Sequence, residues 1–139
     1  MILFHIQTKI KIPNKSLYKK WIKNLALQLG KRVGELNFIF CSDESLLELN
    51  QQYLQHDTLT DVITFDYSEE DFIQGDIFIS TERVQYNSKD FDVDFNTELR
   101  RVIAHGVLHL CGYKDKTKND SKIMREKENW ALSEYSKTL

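Results

Sequence analysis

Apolar and polar positions alternate through residues 2–12 and the pattern stops at Pro13, which predicts a first strand. From 14 to 30 the period changes. Leu17, Trp21, Leu25 and Leu29 recur at helical spacing, Asn14 or Ser16 can cap the start and Gly30 the end, so a helix is expected. LNFIFC (36–41) reads as a short buried strand. A helix capped by Ser42 or Asp43 follows, with Leu46, Leu47, Leu49 and Leu54 as apolar anchors. A polar loop is expected at 55–60, a strand at 61–67 (DVITFDY), an acidic turn over SEEDFIQG and a strand at 76–80 (DIFIS). Helices are predicted from Thr81 to about Asn87, over 96–111 with Gly112 as C-cap, and from about Lys118 to Tyr135. Strands interspersed with helices predict one small α/β (α+β) domain over residues 1–139, a mixed sheet of about four strands with about five helices.

Composition narrows the class. Apolar residues at 41% support a buried core, which argues against disorder. No apolar run approaches the roughly 20 residues that span a bilayer. The N-terminal stretch lacks the features of a signal peptide, and Cys41 and Cys111 are too few for a disulfide framework, so a cytoplasmic protein with two small packing cysteines is expected. The net charge of −2 hides an asymmetry. Residues 1–34 carry eight Lys/Arg and no acid, 35–99 carry sixteen acids with only Arg83 and Lys89, and 100–139 carry nine bases and five acids. Such blocks suit a polyanionic partner for the basic parts, although Lys19, Lys20 and Lys23 also read as a solvated helix face.

The chemistry is concentrated in HGVLHLCGYKD, His105 to Asp115. Two histidines four apart on a helix share a face and can reach one ion. Gly112 then stops the helix, and the chain can fold back to bring Asp115 to them. Two imidazoles and a carboxylate form a ligand set that leaves a position open for water. Zinc is favoured, although iron, manganese or nickel also suit such donors. Gly106 stands where the zincin pattern H-E-x-x-H carries its glutamate base, which argues against a peptidase. Glu98, two turns before His105, is a candidate to orient an imidazole or to transfer a proton. Asp61 is a lesser candidate, readable either as a supporting acceptor or as a turn residue.

HGVLHLCGYKD resembles the H-G-x-L-H-L-x-G-Y-D-H signature of the YbeY family of metal-dependent endoribonucleases. LNQQYLQHDTLTDVITFDY (49–67) is similar to that family's L-N-x-x-[FY]-R-x-K-D-x-P-T-D-V-L-S-F stretch, and GDIFIS (75–80) to its G-D-I-x-I-S strand. The resemblance implies a small α/β fold with the histidine helix in a cleft. It also implies single-strand-preferring cleavage in ribosomal RNA processing at the 16S 3′ end, with pre-16S RNA and the ribosome or small-subunit proteins as partners. Two positions depart from the pattern. Asp115 replaces the third histidine, and Leu54 and His56 replace the Arg and Lys of the middle motif. If that Arg meets phosphate, His56, Arg100, Arg101 and Lys114 are the candidates to replace it. The alternative is a non-catalytic ribosome-assembly factor with a structural metal.

Overall fold

The computed structural model describes residues 1–54 and 60–139; His56 and the side chain of Leu54 lie outside what it describes. Nine elements follow one another: β1 (Ile2–Ile6), α1 (Lys15–Gln28), β2 (Arg32–Cys41), α2 (Asp43–Leu54), β3 (Val62–Asp66), β4 (Phe72–Ser80), α3 (Thr81–Asp90), α4 (Phe95–Leu110) and α5 (Lys118–Thr138). The strands lie in the order β1-β2-β4-β3. β1–β2 and β2–β4 are parallel and β3–β4 antiparallel, so the sheet is mixed as the sequence predicts.

Helices α3 and α5 each run three residues beyond the expected end, to Asp90 and Thr138, and three strand boundaries differ by more than one residue. β1 ends at Ile6, yet Ile12 is still buried: the alternation out to Pro13 records burial rather than strand pairing. β2 begins at Arg32, before a register shift between Val33 and Leu36. β4 begins at Phe72, because Ile73, Gly75, Ile77 and Ile79 form one continuous buried face and leave only a tight acidic turn. There Asp66 Oδ1 accepts from the Ser68 amide at 2.8 Å, a local Asx-type bond that closes the β3–β4 hairpin.

Strand side chains alternate between faces, and the two faces are covered unequally. Leu36, Phe38 and Phe40 of β2 and Ile73, Ile77 and Ile79 of β4 pack with Trp21, Ile22 and Leu25 of α1, Val102, Ile103 and Val107 of α4, and Ala131 and Tyr135 of α5. The Trp21 indole N–H donates to the Ala131 carbonyl at 2.8 Å, so the one polar atom of this buried ring is satisfied and α1 is tied to α5. The opposite face carries a small cluster of Cys41, Leu46 and Ile63 beneath α2. Both thiols are packing groups: burial pushes Cys41 and Cys111 up to about 11, far from the thiolate range.

Helix α4 lies against β4 through Gly106. A Cβ added there would meet Ile77 Cγ2 at 2.9 Å, so only glycine lets the helix approach the sheet this closely. The position that separates this chain from the zincin pattern is therefore set by helix–sheet packing. Asp94 caps the start of α4, accepting from the Thr97 amide at 3.0 Å.

Candidate metal centre

The end of α4 determines where the third ligand goes. Gly112, at φ +102°, adopts a left-handed conformation that costs glycine little. The Tyr113 amide reaches back to Leu108 O and the Gly112 amide to His109 O, each at 3.0 Å, the paired bonds of a Schellman stop. The chain turns back over the histidines, and the Ser121 hydroxyl of α5 donates to the Asp115 carbonyl at 3.0 Å, holding the returned segment. Asp115 Oδ2 lies 3.4 Å from Nε2 of both His105 and His109.

His105 Nε2 and His109 Nε2 are 3.0 Å apart, and one donor atom from each of the three residues falls within 4.8 Å of the others. Donors held at about 2.0–2.2 Å by one tetrahedral ion stand roughly 3.3–3.6 Å from one another. The observed separations come close to that triangle, and the donor chemistry of two imidazoles and a carboxylate suits zinc. The residues fit a metal. The triangle opens on a cleft of about 900 Å³ whose walls include Asn50, Asp61, Thr64 and Lys116.

Behind the triangle stands a residue the sequence reading missed. His105 Nδ1 lies 2.8 Å from Glu128 Oε2 on α5. A carboxylate accepts, so Nδ1 carries the proton and Nε2 presents its lone pair to the metal position. The Glu128 side chain is buried and shared with Arg101 Nη1 at 3.2 Å and Arg125 Nη1 at 3.5 Å. Burial alone would raise Glu128, but the His105 bond and the surrounding cations hold it below the usual carboxylate range. Burial disfavours a charged His105, yet the bond and charge of Glu128, with Asp115 and Asp61, raise it above the ordinary imidazole value. In His109, burial and the neighbouring His105 lower it. A signal was present in the sequence: Met124, Glu128, Ala131 and Tyr135 form one helical stripe, and an acid on an apolar stripe is unusual unless paired.

The remaining candidates divide. Glu98 is 3% exposed and lies 3.7 Å from Arg101 Nε; the carboxylate that orients His105 is Glu128, and Glu98 reaches the histidine only through Arg101. Two helical turns separate Glu98 from His105, too far for direct contact with its ring. Burial raises Glu98 above the ordinary glutamate value. Asp61 lines the cleft beside His105, with its carboxyl likewise raised by burial. Arg101 belongs to the carboxylate network. Arg100 does not face the cleft: its guanidinium lies over the Tyr135 ring at 4.3 Å, and at about 100° per residue it points some 140° away from His105. Lys114 is exposed and is not among the residues lining the metal cleft, whereas Lys116, not foreseen, lines it.

Two imidazoles one helical turn apart, a carboxylate returned by a glycine stop and a supporting glutamate, all set at the edge of a mixed sheet, define a small α/β metallohydrolase. The chain belongs to the YbeY family: the profile described as Endoribonuclease YbeY matches residues 3–136. It is 54% identical over 132 residues to the endoribonuclease YbeY of Flavobacterium psychrophilum, covering 95% of this chain and 94% of that one. It is 54% identical over 114 residues to the protein of the same name in Bacteroides thetaiotaomicron, covering 82% and 83%. The solution structure of a Thermotoga maritima protein superposes with a TM-score of 0.68 at 31% identity, covering 97% of this chain and 89% of that one. Among the described residues, no helix is long and apolar enough to cross a membrane.

Proposed function

We propose that this single-domain chain is a zinc-dependent endoribonuclease that cuts single-stranded RNA during ribosomal RNA maturation. Its substrate is the 3′ region of pre-16S RNA, its partners are the ribosome or small-subunit proteins, and it works in the cytoplasm. The observation that carries the reading is the convergence of His105 Nε2, His109 Nε2 and Asp115 Oδ2 at the mouth of an open cleft. Membership of a family described as endoribonucleases supports the choice of RNA.

His105, His109 and Asp115 hold the ion, which supplies a Lewis acid for a phosphoryl oxygen and makes bound water more acidic. Glu128 keeps the His105 proton on Nδ1. Arg101 neutralises Glu128 and Glu98, so that three buried or half-buried carboxylates can face one cavity system. Glu98 thus acts on catalysis by positioning Arg101. Asp61, half-buried beside His105, holds a proton within the cleft in this reading. Lys116 at the cleft, with Lys114 and His56 near it in sequence, supplies hydrogen-bond donors for phosphate, the job left to fill if the family's Arg, replaced here by Leu54, meets phosphate.

Metal analysis combined with single-turnover cleavage of a single-stranded RNA tests the reading. Wild-type protein should hold about one equivalent of metal and cleave. His109→Ala should lose roughly 100-fold in metal affinity by chelator competition, about one ligand's share of a zinc site, and lose cleavage with it. Full-rate cleavage by metal-stripped protein would refute the proposal. Metal-loaded protein that retains RNA without cutting it would identify an assembly factor instead.

A further inference from the structure

His105 separates two cavities. The second, about 210 Å³, adjoins the metal cleft through Asp61, Val62 and His105, and extends toward the N-terminal turns of α4. At about 30 Å³ per water it has room for roughly seven, enough for a planar ring system. Its lip is Phe91, at the C-cap of α3, an aromatic ring left 54% exposed. Asn87 and Arg125 also line it, together with Asp61, Glu98, Glu128 and Arg101.

The chemistry of this lining selects an occupant. Arg101 and Arg125 pair with Glu98 and Glu128 there, and Asp61 adds a further acid, so the lining has no net positive charge with which to hold the backbone of a nucleic acid. The Asp61 carboxyl can accept a hydrogen bond from an amino group, Asn87 can pair with a ring edge, and an exposed phenyl at the mouth offers a stacking surface. Those are the requirements of a nucleobase with an exocyclic amine. The backbone has its own track next door. Lys118, Lys122 and Arg125 are exposed, follow one another at i, i+4 and i+7 along α5, and span about 10 Å. Arg125 is both the end of that track and part of the cavity wall. Glu126, the acid nearest the stripe on the helical wheel, falls beyond Lys122, on the side away from the cavity.

We propose that the cavity behind His105 is a nucleobase subsite. It receives the base of the nucleotide adjoining the scissile phosphate and stacks it on Phe91, while the strand's backbone follows Lys118, Lys122 and Arg125. The inference rests on the endoribonuclease reading for its substrate, but its test does not depend on cleavage.

The zinc-loaded full chain is titrated with three fluorescently labelled ten-residue strands of equal charge: oligoadenylate, oligouridylate and a ribose-phosphate strand without bases. Titrations are run in the cold, and strand integrity is checked by gel at the end of each. Wild-type protein should bind oligoadenylate about tenfold more tightly than the baseless strand, the factor expected of one stacked base, with oligouridylate between them. Phe91→Ala should bind all three strands alike, at the baseless level, and Phe91→Trp should restore the preference. Lys122→Glu should weaken all three by a similar factor and leave the preference intact. Equal binding of the three strands by wild type overturns the proposal, as does an undiminished preference in Phe91→Ala. If Phe91 sets the preference while wild type fails to cleave RNA, the subsite stands and the endoribonuclease reading falls. If wild type cleaves and Phe91→Ala keeps the preference, only the subsite falls.

Discussion

The two sides of α4 are held by different physics. The side against the sheet carries Gly106, Ile103, Val107 and Leu110, and is fixed by shape: Gly106 admits no side chain beneath Ile77. The side toward α5 carries Glu98, Arg101, His105 and His109, and is fixed by pairing: Arg101 and His105 answer Glu128 across the junction, while Glu98 pairs with Arg101 along the helix. A well-packed apolar contact resists changes in volume and is indifferent to pH. A buried polar network resists the loss of one partner, because the group left behind stays desolvated and unpaired. One helix therefore supports the fold with one face and poises the chemistry with the other, and substitutions should distinguish the two.

The largest effect is expected on the packed side. Gly106→Val should destabilise the fold by about 3 kcal/mol, the upper range of overpacking, with metal lost only as a consequence of unfolding. Urea denaturation checks this, and a variant with wild-type stability would remove the distinction between the faces. On the paired side, Glu128→Ala should leave a folded protein and weaken metal affinity by about 10–100-fold. Glu128→Gln, which keeps an acceptor for Nδ1 but no charge, should lie between it and wild type in chelator competition. Equal losses in the two variants would mean that Glu128 only fills space. The smallest effect belongs to the cap. Asp94→Ala should cost about 1 kcal/mol near neutral pH without changing metal affinity in the folded protein. The Thr97 amide bond holds the Asp94 carboxyl below the usual range. Stability from a depressed acid is present above its unfolded pKa and is lost as pH falls through the folded value. The gap between wild type and Asp94→Ala should therefore narrow at acid pH.

Much of this arrangement was legible in the chain. The His105–His109 spacing, the Gly112 stop and Asp115 are local features, so periodicity and turn chemistry placed them correctly relative to one another. The element types were readable for the same reason, and the strand boundaries slipped both ways: burial outlasts pairing at Ile12, whereas pairing outlasts burial at Arg32. What escaped depends on contacts far apart in sequence. Glu128 meets His105 across the α4–α5 packing, and only its intrusion into an apolar stripe hinted at a partner. Glu98 looked well placed on a helical wheel, which gives angle but ignores distance along the axis. Arg100 and Arg101 are adjacent in sequence and were grouped by charge, yet one helical step turns the first onto Tyr135 and the second into the carboxylate network. Phe91 could not have been singled out, because nothing local marks the lip of a cavity built by α3, α4 and α5.

The glycine reversal at the end of α4 makes the centre an interlock on the chain's own assembly. One ligand lies beyond the turn and the group that orients another sits on the following helix, so a chain whose α5 is undocked has two histidines but no completed grip. A complete metal grip therefore requires α5 to be docked, so the site and the fold are built in one event.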